Sequence, residues 1–303
     1  LIVPNAGADA VTGPMCAPNI FRSSFSNWQS AYAMGQVMAK RGHKRAVSLT
    51  WKYAAGDEMA AAFKEGFEKG GGQVLKQLNL PFPNVEFQAL LTDIAASKPD
   101  AVFSFFAGGG AVKFVKDYAA AGLNRTIPLY GPGFLTDGTL EAQGDAALGI
   151  YTTLHYADSL NTPRDNAFRL AYVKAYKLQP DVYAVQGYDA AQMLAIGLNA
   201  VKGDIGKRAE FTAAIEKAKI DSPRGAFTLF PIFMASMTQS SSPCFTRSPG
   251  FTATDKTLPG SGAVTGCPAL AAGAVGAGVG AAAAAETEGV AASRAISTRA
   301  IRP

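Results

Sequence analysis

The chain has 303 residues, 48% of them hydrophobic, with 28 Lys and Arg against 23 Asp and Glu for a net charge of +5. That length accommodates two ordinary domains and a sizeable core. The mild basicity lacks the clustered cations and interleaved aromatics of a nucleic-acid surface (KRGHKR at 40–45 is the densest run), so nucleic acid is not an expected partner.

The opening LIVPNAGA reads as an apolar strand running into a turn. It begins without an initiator Met, a basic segment or an apolar signal core, so an export signal is expected outside these residues. Ser30 to Lys40 predicts an amphipathic helix with Ala31, Met34 and Met38 on one face, stopped at Gly42. AVSLTW (46–51) predicts a buried strand. Met59, Phe63 and Phe67 recur every four residues before Gly70-Gly71-Gly72, and QVLKQLNL (73–80) predicts the next strand. Phe87, Leu90, Leu91 and Ile94 mark a helix that Lys98-Pro99-Asp100 ends. AVFSFF (101–106) is the continuous apolar run of a strand buried on both faces of a parallel sheet.

After Ala107-Gly108-Gly109-Gly110, Val112, Val115, Tyr118 and Ala119 predict an inward helix face. IPLYG (127–131) predicts a strand, 134–143 a shorter helical piece, and GIYTTLHY (149–156) another strand. Phe168, Ala171, Tyr172 and Tyr176 mark a helix, Tyr183 to Val201 a long one, and 207–218 a last one before SPRGAFTL. Strands alternating with helical stretches of this length predict βαβ units and parallel, doubly wound sheets, which bind ligands at the carboxyl ends of their strands. Near Phe230 the text changes to PIFMASMTQSSSPCFTRSPG and then to ALAAGAVGAGVGAAAAAETEGVAAS. Residues 231–303 are expected to form a low-complexity, disordered tail with the look of a GC-rich gene read out of frame.

Four loops fall at one predicted sheet edge. Ala107 to Gly110 is either a glycine-requiring turn or a backbone cradle for an anion at a helix start. Asn5-Ala6-Gly7-Ala8 is either a strand-capping turn or a set of amide donors. In Trp51 to Glu58, Asp57 is read as a helix cap rather than a catalytic acid, and Tyr53 as pocket lining or surface cover. In Tyr130 to Asp137, Phe134 is a ligand-stacking ring or a core anchor. The acids do not pair at obvious spacing and no nucleophile has a partner base. Two histidines (His43, His155) and three cysteines (Cys16, Cys244, Cys267) lack metal-ligand spacing. A binding crevice is expected, with no catalytic residues, metal or cofactor.

FRSSFSNWQSAYAM, GHKRAVSLTWKYAAGDEMAAAFKEGFEKGGGQV, PDAVFSFFAGGGAVKFVKDYAAAGL and PLYGPGFLTDGTLEAQGDAALGIYT, followed by PDVYAVQGYDAAQML and SPRGAFTL, resemble the leucine/isoleucine/valine-type periplasmic substrate-binding proteins of ABC transporters over about residues 1–229. The resemblance implies an α/β fold of two Rossmann-like lobes with parallel sheets, the type I periplasmic-binding-protein fold. It implies that the family's opening segment is missing, so the first lobe is incomplete (1–23 and 154–230) beside a second lobe at 24–153.

It further implies a periplasmic monomer that delivers a small carboxylate to a membrane permease. The same fold also serves as the ligand-sensing domain of receptors and regulators, and a truncated fragment without activity is a third reading. By the same resemblance the carboxylate loop falls on Asn5, Ala6 and Ala8, and an aromatic position near Ala55 with Tyr53 beside it. The next pocket position falls on Ala107 with Gly108. The glutamate that neutralises an amino-acid ligand's ammonium falls on Gly133, followed by Phe134. Without that glutamate the expected ligand is an aromatic or similar apolar carboxylate, unless another acid such as Asp137 supplies the charge.

Overall fold

Strands β3 (Arg45–Lys52) and β5 (Ala101–Phe105) occupy the middle of the sheet because nearly every residue between their ends is apolar or small and uncharged, and is buried. A computed structural model describes residues 1–158 and 160–229 together with the two-residue strand Ser293–Arg294. The expectation for 231–303 lies outside the described residues apart from that strand.

The two-residue period of the strands sorts their side chains into two cores. Val47, Leu49, Trp51 and Val102 face Leu91 and Ile94 of α3 (Gln88–Ser97) and Phe114, Val115 and Tyr118 of α4 (Gly108–Ala120). Ala46, Ala101, Phe103 and Phe105 face Met34 and Met38 of α1 (Asn27–Lys40) and Phe63 and Phe67 of α2 (Ala54–Lys69). Helices thus cover both faces, as a fully parallel sheet requires.

With β4 (Gln73–Pro81), β6 (Leu129–Pro132), β7 (Tyr151–Thr153) and the last strand β10 (Ser293–Arg294), the order is β10-β7-β6-β5-β3-β4. The pairs from β3 to β7 are parallel, whereas β10 runs antiparallel to β7 with Ser293 opposite Thr152.

The remaining elements are β1 (Ile2–Val3), parallel to β2 (Phe21–Arg22), helices α6 (Pro163–Tyr176), α7 (Val182–Ala200) and α8 (Arg208–Glu216), and the antiparallel pair β8 (Lys219–Ile220) and β9 (Phe227–Thr228). Met193, Ile215, Ile220, Phe227 and Leu229 form a third core, with Ile2 and Phe21 packed on it. Tyr156, Phe168, Val182 and Val185 instead join the core on the α1 and α2 side.

Several expected elements shift. Helix α1 starts at Asn27 rather than Ser30, because the Ser26 N–H donates to Gln29 Oε1 at 2.9 Å, half of a capping box. The inward face of α4 is Ala111, Phe114, Val115 and Tyr118, with Val112 and Ala119 only half-buried. On α6 only Asp165 and Phe168 are buried, while Ala171 and Tyr176 are exposed. The piece at 134–143 splits into a 3-10 turn, Gly133–Leu135, and a single helical turn, α5 (Leu140–Gln143), with Gly138 left-handed between them at φ 68°.

Candidate functional site

Parallel strands end at one edge, and three of the four expected loops leave from it. Lys52 ends β3 and leads through Tyr53 into α2; Phe105 ends β5 and leads through Ala107 into α4; Pro132 ends β6 and leads into Gly133 and Phe134. Tyr53 is 38% exposed and its ring stacks 6.2 Å from Phe105, with Phe82 5.2 Å away. Tyr53 itself precedes α2 as its capping residue, without a side-chain bond. Asp57 is therefore not the cap expected from the sequence; it lies exposed in the first turn, where a negative charge only complements the helix dipole.

Gly108 adopts φ +54° and is exposed, so the glycine there answers a left-handed backbone; Ala107 beside it is half-buried. Ala55 and Ala107 both pack against the core that holds Phe25 and Phe134.

The fourth loop is held rather than free. Asn5 and Ala6 are exposed, Ala8 is half-buried, and Gly7 between them is buried. The Gly7 carbonyl accepts from the Asn27 N–H at 2.7 Å, and Arg22 Nη1 donates to the Ala8 carbonyl at 2.6 Å. The Asp9 N–H donates to both oxygens of Glu58 (3.3 and 3.2 Å), whose Oε2 also accepts from Asn27 Nδ2 at 2.6 Å. Asp9 Oδ1 in turn accepts from the Trp28 N–H at 3.2 Å, while burial pushes this carboxyl above its ordinary range.

Phe25 joins this loop to the others. A Cβ on Gly7 would come within 3.0 Å of the Phe25 ring, and that ring packs 4.9 Å from Phe134 and stacks 5.3 Å from His155 at 17°. Phe134 is 5% exposed, a core anchor in this conformation, with Tyr183 of α7 on another side at 6.2 Å. Gly133 is buried against Leu154, and both line a depression with Thr136, Asp137, Thr152, Tyr156, Ala157 and Asp158. Burial raises Asp137 to about 6, and its Oδ2 accepts from the Val182 N–H at 2.8 Å.

Sequence reasoning missed Arg22 and Phe25, and gave Glu58 and His155 no role in holding these loops. Phe25 lay inside a quoted segment, FRSSFSN, but nothing in its spacing marked it as the residue that bridges two loops. Among the described residues no group of three or more His, Cys, Asp or Glu could hold a metal ion, and no helix is long and apolar enough to cross a membrane.

A parallel sheet covered by helices on both faces, with loops leaving the carboxyl ends of its strands, is the architecture of the type I periplasmic-binding-protein fold. Residues 1–233 match the periplasmic binding protein family, and the chain belongs to it. A solute-binding protein of an ABC transporter from R. palustris, solved in complex with benzoate, is 55% identical with a TM-score of 0.74, covering 76% of this chain and 64% of that one.

A second, from Rhodopseudomonas palustris BisB5 in complex with 3,4-dihydroxybenzoic acid, is 34% identical with a TM-score of 0.70, covering 76% and 63%. The Leu/Ile/Val-binding protein homolog 6 of Brucella melitensis is 30% identical over 238 residues, 76% of this chain and 60% of its own length. The chain therefore spans less than two thirds of the length of these relatives.

Proposed function

We propose that this protein is the solute-capturing component of an ABC importer, holding an aromatic carboxylate between two lobes and delivering it to a membrane permease outside the cytoplasm, without chemistry. Residues 24–153 serve as the second lobe, and 1–23 with 154–230 contribute to the first. The backbone of Asn5, Ala6 and Ala8 faces the carboxylate. Tyr53, Ala55, Ala107 and Gly108 line the crevice, and Gly133 and Phe134 meet the ring. The protein works as a monomer with no cofactor and no nucleic-acid partner.

The observation that carries this reading is Gly133 packed against Leu154 beside the buried ring of Phe134. An amino-acid ligand brings an ammonium, which costs several kcal/mol to bury without a counter-charge, on the order of 2–7 kcal/mol even for a neutral polar group. No carboxylate stands at position 133. Of the two acids that line the depression with Gly133, Asp137 is biased by burial toward its neutral form and already accepts from Val182, and Asp158 is exposed to solvent. The benzoate complex of a 55% identical protein points to the same ligand class.

A thermal-shift comparison tests it. Benzoate should raise the melting temperature more than leucine does at equal concentration. A larger shift with leucine would overturn the reading.

A further inference from the structure

The depression beside Gly133 is lined by acids, hydroxyls and apolar groups, and no Lys, Arg or His is among its lining residues. Asp137 and Asp158 line it with Thr136, Thr152 and Tyr156; Asp137 is half-buried and Asp158 exposed. A third acid, Asp181, comes up at the start of α7. Its Oδ2 lies 3.5 Å from the position that a Cβ on Gly138 would take, and the Tyr183 ring is equally close to that position. On α6, Arg169 is turned to the Tyr156 hydroxyl (3.5 Å) and to Gln179 (2.9 Å), and Asp165 accepts from that same hydroxyl at 2.9 Å. What balances Asp137 is backbone: the Val182 N–H donates to its Oδ2 at 2.8 Å, and the Gly138 N–H also favours its charged form.

An aromatic carboxylate brings a further negative charge into this surrounding and excludes water from it. Both effects act against an ionised Asp137. The other two acids are better placed to stay charged, because Asp158 stands in solvent and Asp181 caps α7 by accepting from the Ala184 N–H at 2.9 Å. Asp137 is already raised to about 6, by burial first and by those two neighbours after it. An anion about 8 Å away, at the effective dielectric of a protein site, raises a carboxyl's proton affinity roughly tenfold or more. Once protonated, Asp137 keeps an oxygen for Val182 and gains an O–H to donate, so the fold gives up no hydrogen bond.

We propose that capture of the ligand is coupled to uptake of a proton from solvent by Asp137, so that the protein holds an aromatic carboxylate more tightly in mildly acidic than in neutral surroundings. This rests on the aromatic-carboxylate reading above, which sets the ligand ring at Gly133, and deepens it with a control on affinity. Because Asp137 bonds the first turn of α7, the proton arrives at a contact between the six-stranded sheet and the segment assigned to the other lobe.

The test is a calorimetric titration of the full chain with benzoate at pH 7 in phosphate and in Tris, whose different ionisation heats count the protons taken up. About 0.4–0.8 proton per benzoate is expected, with binding about four- to fifteenfold tighter at pH 6 than at pH 7.5. Asp137→Asn stays neutral and keeps an acceptor for Val182. It should bring the uptake below about 0.1 proton and the pH ratio within about twofold, while binding benzoate several-fold more tightly than wild type at pH 7.5. In the unsubstituted protein, the 13C resonance of the Asp137 carboxyl should move to its protonated position when benzoate is added at pH 7, which needs no variant to fold.

No proton uptake, uptake that survives in Asp137→Asn, or an unmoved Asp137 resonance would overturn the proposal, the second by assigning the proton to the ligand or to another group. Failure of benzoate to bind at either pH would remove the proposed function and this inference with it. Binding without proton uptake removes the inference alone.

Discussion

Leu154 fills the space that a side chain at position 133 would need: a Cβ on Gly133 would lie 2.6 Å from Leu154 Cδ2 and 2.7 Å from its Cβ. The second contact involves an atom fixed to the backbone, so rotating Leu154 does not relieve it. Gly133→Ala should therefore destabilise the protein by about 1–3 kcal/mol, the range for overpacking. Trimming the neighbour should recover part of that loss, making Gly133→Ala with Leu154→Ala less damaging than the sum of the single changes. Urea unfolding measures this, and a single variant within about 0.5 kcal/mol of the starting protein would refute the packing argument.

Asp137 gives the fold a pH dependence with a definite sign. Its carboxyl rises from 3.8 to about 6, chiefly through burial, with Asp181 and Asp158 adding repulsion and the Val182 and Gly138 N–H groups opposing. Below 3.8 the group is protonated in both folded and unfolded chains, and the stability it contributes is fully present. As pH rises through about 6 the folded protein must ionise a buried acid, and that contribution is lost. Asp137→Asn keeps an acceptor for Val182 while removing the titration. The difference in unfolding free energy between wild type and variant should fall by on the order of 2 kcal/mol between about pH 4 and pH 7.5. A difference that stays flat with pH would contradict the assigned environment.

The buried pair Asp189 and Arg224 ties three separate segments together. Arg224 Nε donates to Asp189 Oδ2 at 3.1 Å, with the side chains 3% and 1% exposed, and Ser222 Oγ donates to the same oxygen at 2.8 Å. Arg224 also donates to the Ser23 carbonyl, and its guanidinium lies 4.2 Å over the Phe227 ring. Removing one partner strands the other charge without water. Asp189→Asn or Arg224→Met should each cost about 3–5 kcal/mol, and replacing both should cost much less than the sum. Additive losses in chemical denaturation would mean that the two charges act independently.

The six-stranded sheet is legible in the sequence because its signals are strong and local. AVSLTW and AVFSFF are apolar runs that can only be buried, and Met59, Phe63 and Phe67 mark one helix face by spacing alone; all of these became core. The misreadings share a cause. On α6, Ala171 and Tyr176 have the right period yet remain exposed, because periodicity identifies a face without saying what covers it. The inward polar residues of α7, Gln186 and Asp189, ran against the apolar pattern and were invisible until their partners His155 and Arg224 were placed beside them. The loops at the sheet edge follow from the strand ends, but Phe25, whose ring lies against Gly7 in one loop and Phe134 in another, is defined by contacts that no spacing encodes.

Glu58 carries the last expectation, because it holds the loop assigned to the ligand carboxylate. Its two oxygens accept from the Asp9 N–H, and one also accepts from Asn27, whose own N–H binds the Gly7 carbonyl. The Gly7 to Asp9 part of the loop is thereby held in place, which spares a binding step the entropy of ordering it. Glu58→Ala leaves the Asp9 N–H and the Asn27 amide without their acceptor. It should weaken benzoate binding roughly tenfold while lowering stability by about 1–3 kcal/mol.

Glu58→Gln retains one acceptor oxygen and should lose markedly less affinity than Glu58→Ala. Isothermal titration of the two variants separates preorganisation from charge. Equal losses in both would assign the effect to the negative charge, and no loss in either would detach this loop from ligand binding.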